Sequence, residues 1–125
     1  MADTVTTKVL YEDTRYYIAS FTNSSDGTGE SAVKKVDVSA LTPACKTVSI
    51  EEVWYATSGM SVKVIFDATT DDVMLVLGGT GHLDFGDFGG VFDPKSTGYV
   101  GDILFTTVGH TSGDTYTIIL KCRKY

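Results

Sequence analysis

Apolar and polar residues alternate along most of this chain, and the period is two. In "TRYYIASFT" (14–22), Tyr17, Ala19 and Phe21 fall on one side, with Tyr16, Ile18 and Ser20 on the other. "MSVKVIFD" (60–67) is the clearest case, with Met60, Val62, Val64 and Phe66 inward and Ser61 and Lys63 outward. Successive side chains of a strand point to opposite faces, so this alternation predicts half-buried β-strands. "TVSIEEVWYAT" (47–57) puts Val48, Ile50 and Trp54 on one side, interrupted by Glu52, and Glu51, Val53 and Tyr55 on the other. "DVMLVL" (72–77) is apolar throughout, which predicts a strand covered on both faces. "DILFTTV" (102–108) and "TYTIILKC" (115–122) continue the set, with "TVTTKVL" (4–10) and "SAVKKVDV" (31–38) as weaker members.

The segments between these runs carry turn chemistry. "NSSDGTGE" (23–30), "TSG" (57–59) and "TSGD" (111–114) supply the Gly, Asn, Asp and Ser of tight reversals. Apolar residues nowhere recur at three-and-four spacing over a dozen positions, so the pattern predicts at most a helical turn at "SALTP" (39–43). About eight short strands with turns at near-regular intervals predict an all-β chain. The expected architecture is a single-domain antiparallel β-sandwich, jelly-roll-like, spanning residues 1–125, with one long Gly/Phe-rich loop over 78–101.

Composition narrows the chemistry. A chain of 125 residues can bury roughly two-thirds of its unfolded surface, enough for a core without metal or disulfide staples. The formal net charge of −6 repels phosphate backbones, and the basic "KCRKY" at the end reads as a solvated strand end, so no nucleic-acid partner is expected. No apolar run approaches the roughly 18 residues of a membrane span, and none is expected. The opening "MADTVTTKVL" lacks a basic segment followed by an apolar one, which predicts synthesis in a cytoplasm without a secretory signal. Cys45 and Cys122 lack Cys-x-x-Cys spacing, so two separate thiols are expected there, with a disulfide between them left open.

"GGTGHLDFGDFGG" (78–90) invites three chemical readings. A dinucleotide fingerprint needs a third glycine where Asp84 stands and a helix to follow. A calcium β-roll repeat would be one residue shorter and would recur, leaving only a scattered set (Asp84 and Asp87 with Asp67, Asp71 or Asp72) to weigh against ordinary solvated acids. The doubled Asp-Phe-Gly lacks the lysine strand and catalytic loop that give it meaning in kinases. What remains is an arm that packs on a partner, with Phe85, Phe88 and Phe92 as its apolar surface. His82 and His110 sit beside glycines without a nucleophile elbow or paired ligands, so no catalytic residue, cofactor or metal is expected and the chain is read as a non-enzyme.

Four phrases in order, "RYYIASFTNSSDGTGESAVKKVDVSAL", "IEEVWYATSGMSVKVIFDATTDDVMLVL", "LDFGDFGGVFDP" and "GDILFTTVGHTSGDTYTIILKCRK", resemble a family of small virion structural proteins of tailed bacteriophages. Members of that family look like capsid cement or decoration proteins. The resemblance covers nearly the whole chain and carries no site residues with it. It implies a β-rich protein on the outer surface of the head, bound to the major capsid protein and self-associating, with a homotrimer expected because quasi-equivalent lattices offer three-fold positions. The candidate anchors are Phe85, Phe88, Phe92, Tyr99, Trp54 and Tyr55, although its strand position also predicts Trp54 for the sandwich core. Two alternatives stand beside this reading: a tail, neck or fibre component, and a carbohydrate-binding β-sandwich using Trp54, Tyr55, Tyr16 or Tyr99.

Overall fold

The computed structural model describes residues 3–125, the side chain of Phe88 excepted. The chain runs β1 (Thr4–Glu12), β2 (Tyr16–Ser24), β3 (Val33–Val36), β4 (Val48–Phe66), β5 (Asp72–Asp84), β6 (Val91–Phe92), β7 (Ile103–Val108) and β8 (Thr115–Lys124). All pairings are antiparallel, in the order β1-β2-β8-β4-β7-β3, with β5 and β6 also pairing with β4. The architecture is all-β and sandwich-like, as the period of two predicts.

The central element is β4. Its first part, Val48–Ser58, pairs with β8, and its last part, Ser61–Phe66, pairs with β7. One strand therefore serves two layers, bending where its pairing with β5 slips between Ala56 and Ser61. Strands that switch sheets commonly do so at such irregularities. The sequence reading divided this stretch into two strands with a turn at 57–59; the structure turns the corner without breaking the strand.

The layers meet through side chains that alternate as expected. Tyr17, Ala19 and Phe21 of β2 face Val62, Val64 and Phe66 of β4 and Ile103 and Phe105 of β7 across one buried cluster. Phe105 stands edge-on to both Phe21 and Tyr116, at centroid distances of 5.4 and 5.8 Å. This arrangement sets the positive rim of one ring against the negative face of another.

Paired charges close both ends of the core. At one end Glu30 pairs with Lys35 and accepts hydrogen bonds from Tyr116 and Asn23. At the other the Lys124 ammonium donates to Glu12 Oε2, Asp13 O and Pro43 O, which uses its three hydrogens. The expected helical turn is a 3-10 turn at Val38–Ala40, capped by the Asp37 carboxylate accepting from Ser39 N.

Three expectations need correction. The run "DVMLVL" lies in β5, which pairs with β4 along one side only, and Val73 and Val76 are largely exposed. The Gly/Phe-rich loop begins at Phe85, not Gly78, because residues 78–84 continue β5. Gly81 lies opposite Tyr55 in that strand: a Cβ there would stand 2.7 Å from the Tyr55 hydroxyl, so a larger residue would displace the aromatic ring across the strand. Trp54 does not enter the core. The pairing of β4 with β8 slips between Ile50 and Glu52, so Glu51 is the extra residue of a bulge. The phase shifts by one, Val53 turns inward and Trp54 outward.

Candidate functional site

The outward phase of β4 creates a cluster on the solvent face of the sheet. Trp54 lies opposite His82 on β5 and opposite Ile119 on β8. The indole and imidazole rings stack, with centroids 4.8 Å apart and planes 6° from parallel. His82 Nε2 is 3.2 Å from Glu52 Oε1, and since a carboxylate only accepts, Nε2 carries the hydrogen. Glu52 in turn lies 3.5 Å from Lys121 Nζ, which sits over the Tyr16 ring at 5.3 Å. The imidazole behind Trp54 is therefore fixed by a chain of charged and aromatic neighbours.

Beside Trp54 is an open hollow of about 260 Å³, lined by Trp54, Tyr55, Ala56, Thr80, Gly81, Thr117 and Ile119. A second hollow of similar volume lies at the far end of β5, between Thr69, Thr70 and Asp72 on one side and Ser96 and Thr97 on the other.

A different surface lies at the sheet edge. Among the described residues β1 pairs only with β2, and Thr4–Tyr11 is exposed residue after residue. Val5 and Val9 stand opposite the buried Asn23 and Ala19, on the face that elsewhere forms the core, yet they are 46% and 53% exposed. Leu10 and Tyr11, where the pairing slips, are equally open. The core face continues past the last covering strand and ends bare.

The anchors expected from sequence do not converge. Phe85 is half-buried against the core, as is Tyr55. Phe92 is exposed and tilts against the Tyr125 ring, with centroids 5.3 Å apart. Tyr99 is exposed in the loop between β6 and β7, whose backbone bonds back to Asp67 and Thr69. The side chain of Phe88 lies outside the described residues. Phe92 meets β4 at Ser49 and Trp54 lies five residues further along, so the exposed aromatics occupy separate regions.

His110 has a structural place. Its Nε2 is 3.1 Å from the Thr28 carbonyl, to which it donates, and its Nδ1 is 3.1 Å from the Thr107 hydroxyl. It thereby ties the 25–30 loop to β7. The acids weighed for calcium are split: Asp84 and Asp87 lie at one end of β5, and Asp67, Asp71 and Asp72 at the other. Twelve residues of strand span up to about 40 Å. Among the described residues, no group of three His, Cys, Asp or Glu side chains is placed to hold a metal ion. Burial and the neighbouring Asp71 and Asp102 carboxylates push Asp67 above the usual aspartate value. Cys45 and Cys122 are both free thiols, and burial pushes Cys122 up to about 12.

The strand predicted at 4–10 is β1, but neither its exposed edge, nor His82 as the support of Trp54, nor the Glu52–Lys121 pair is marked in the sequence. Only the bulge left a signal, the two adjacent glutamates between Ile50 and Val53, because an acidic pair inside an apolar alternation fits a bulge better than a continuous ladder.

No protein-family model matches this chain, and no curated protein matches it. Among solved structures, a cupin superfamily protein from Desulfitobacterium hafniense is similar over 99% of this chain and 80% of its own, with 14% identity and a TM-score of 0.41. A similarity that loose carries neither architecture nor activity across, and the fold described above stands on its own strands and register.

Proposed function

We propose that this chain is a non-enzymatic virion structural protein, a decoration or cement protein bound to the outer surface of a bacteriophage head. The observation that carries the reading is the bare edge strand β1, whose inward-phase Val5 and Val9 are exposed together with Leu10 and Tyr11. An edge of this kind accepts a further strand, with main-chain hydrogen bonds providing affinity and alternate side chains providing register. The partner is a strand or arm of the major capsid protein, and the chain sits on the lattice as a homotrimer. The phrase resemblance supports the same assignment, and the net charge of −6 suits a surface facing away from packaged DNA. A cement protein needs no chemistry, since it binds the assembled lattice better than free subunits and so stabilises the assembly by mass action.

The test is binding to heads that lack the protein. Burying each valine contributes about 1.5–3 kcal/mol, so Val5→Asp with Val9→Asp should weaken binding about 100-fold or more. Both positions are exposed in the free protein, so its melting temperature should move little. Absence of the chain from purified virions, or undiminished head binding by the double variant, would overturn the proposal.

A further inference from the structure

We infer that the hollow at the start of β5 receives a lysine or arginine side chain from a protein partner. None of its lining residues, Thr69, Thr70, Asp72, Ser96 and Thr97, belongs to β1, so occupancy there is separate from head binding through the bare edge.

The hollow is built by two loops that hold each other. Thr69 N donates to Thr97 O at 3.1 Å and Val100 N to Asp67 O at 3.0 Å, while Asp67 N donates to Asp102 O at 3.0 Å. Gly98 approaches so closely that a Cβ on it would stand 2.0 Å from Thr69 Oγ1. These bonds fix the walls of the roughly 260 Å³ hollow before a guest arrives. Such preorganisation removes part of the entropic cost of association.

The lining calls for a hydrogen-bond donor with positive charge. Thr69, Thr70, Ser96 and Thr97 each carry a hydroxyl, which can accept as well as donate, and Asp72 is a carboxylate, which only accepts. Asp72 Oδ2 is buried, with no hydrogen-bond partner among the described residues. An acceptor left in that state is costly, and a donor brought to this carboxyl group relieves it. The surrounding charge has the same sign. Asp67 and Asp71 precede Asp72 closely in the chain, and among the described residues no lysine, arginine or histidine lies within ion-pair distance of any of the three. Burial, then the Asp71 and Asp102 carboxylates, raise Asp67 and outweigh Lys34, whose ammonium is bound to Asp102 at 3.0 Å.

An anionic guest would meet these acids unscreened, and a hydrocarbon would leave the Asp72 carboxyl without a donor. A metal ion would lack ligands, because no group of three His, Cys, Asp or Glu side chains among the described residues is placed to hold one. An ammonium or guanidinium group has hydrogens for both the carboxylate and the hydroxyl oxygens. The rim favours a protein as its source. Tyr99 and Val100 follow the lining residues directly and are 45% and 49% exposed, which offers apolar surface to the rest of an incoming segment.

One charged side chain in such a site corresponds to a dissociation constant on the order of 10 mM. The probes are the acetylated, amidated tripeptides Gly-Lys-Gly and Gly-Arg-Gly, with neutral counterparts carrying norleucine or citrulline at the centre. Each is titrated to roughly 50 mM into the full chain at about 20 mM salt, where screening is weak. At least one basic peptide should shift the amide resonances of residues 68–72 and 96–98 along a saturable curve, and the neutral peptides should not. Asp72→Asn removes the charge, and Thr70→Tyr fills the hollow from an exposed position with the charge kept. Each should weaken the response at least tenfold, with the melting temperature of Thr70→Tyr unchanged. No saturable shift with either basic peptide overturns the assignment, as does an equal response to a neutral one. A response that Asp72→Asn or Thr70→Tyr leaves intact also overturns it. So does saturation of the same amides by calcium chloride below about 1 mM, because the hollow is then a metal site.

Discussion

Replacing Glu30 with glutamine makes the heaviest demand on the packing described above. The side chains of Glu30 and Lys35 are each 5% exposed, with Lys35 Nζ 2.5 Å from Glu30 Oε2. The other carboxylate oxygen accepts from the Tyr116 hydroxyl at 2.5 Å and from Asn23 Nδ2 at 2.9 Å. Glu30→Gln keeps the shape and removes the charge, which leaves the Lys35 ammonium buried without a counter-ion. Breaking a buried pair from one side costs about 3–5 kcal/mol, against a total domain stability of about 5–15 kcal/mol. At roughly 4 °C per kcal/mol for a domain of this size, the melting temperature should fall by about 12–20 °C.

The same reasoning sets its own control. Glu30→Met with Lys35→Met removes both charges, and Tyr116→Phe removes the hydroxyl that would otherwise lose its acceptor. Replacing a buried pair by apolar groups of similar volume is often neutral, so the triple variant should recover most of the loss. Urea unfolding followed by circular dichroism and by Trp54 emission measures both. A Glu30→Gln variant within about 1 kcal/mol of the parent would refute the burial of this pair, the lower limit expected of a broken buried ion pair being about three times that. A triple variant no more stable than Glu30→Gln would refute the pairing itself.

Gly101 has φ +92°, and a Cβ on it would lie 2.1 Å from the Lys46 carbonyl oxygen, so backbone as well as torsion opposes any side chain. Gly101→Ala should lower stability by about 3 kcal/mol or more, read from the urea midpoint, and an unchanged midpoint would refute the close approach of these two segments. Acid should also weaken the fold. The Tyr11 hydrogen bond and the Tyr16 and Arg15 amides hold Asp13 below its usual 3.8, and the Ser39 side chain and amide do the same for Asp37 against the opposing effect of burial. At Asp3 burial pushes upward, but hydrogen bonds from Asn23, Gly29 and Asp26 outweigh it and the carboxyl is again lowered. Lowered folded-state values mean that these contributions are complete above 3.8 and are lost as pH falls through the lower values. Asp67, raised by burial and by Asp71, works in the opposite sense and is relieved by protonation. Urea midpoints measured between about pH 5 and about pH 2.5 should therefore fall, by less in Asp13→Ala, and a rising midpoint would contradict the network.

Most of the strand pattern was legible because it depends on single residues: Met60, Val62, Val64 and Phe66 alternate in the chain and are buried in the structure. The features that were not legible depend on partners. Whether "DVMLVL" is covered on both faces depends on what packs above and below β5, which no local pattern reports, and Val73 and Val76 are left exposed. The continuity of β4 through Ser58 and Gly59 depends on β8 and β7 taking over from each other along the same strand, so a turn-forming tripeptide becomes a corner. Gly78–Asp84 looked like loop because glycine disfavours strands, yet at Gly81 the absent side chain leaves space that the Tyr55 ring of the neighbouring strand takes up. The candidate anchors failed to converge for a similar reason. Phe85, Phe92 and Tyr99 are close in the chain, but the first packs inward, the second leans on Tyr125, and the third is carried off by a loop bonded to Asp67 and Thr69.

Trp54 shows how one irregularity links fold to function. Strict alternation from Ile50 would send Trp54 into the core. The slip at Glu51 reverses the phase for the rest of this segment, which turns Val53 inward and brings Trp54, Glu52 and Ala56 to the outer face. The same slip puts Glu52 opposite Lys121 and, across β5, Trp54 opposite His82, so the exposed aromatic gains its braced support and its hollow in one step. A bulge costs ladder hydrogen bonds, and one whose only product was an exposed indole would be a net loss to folding. The cost is offset if the outer face binds something. The unused half of the core face at β1 follows the same logic, since Val5 and Val9 contribute to stability only when another strand covers them. In both places local departures from the sandwich pattern direct attention away from the filled interior and toward the faces and edges of the sheet.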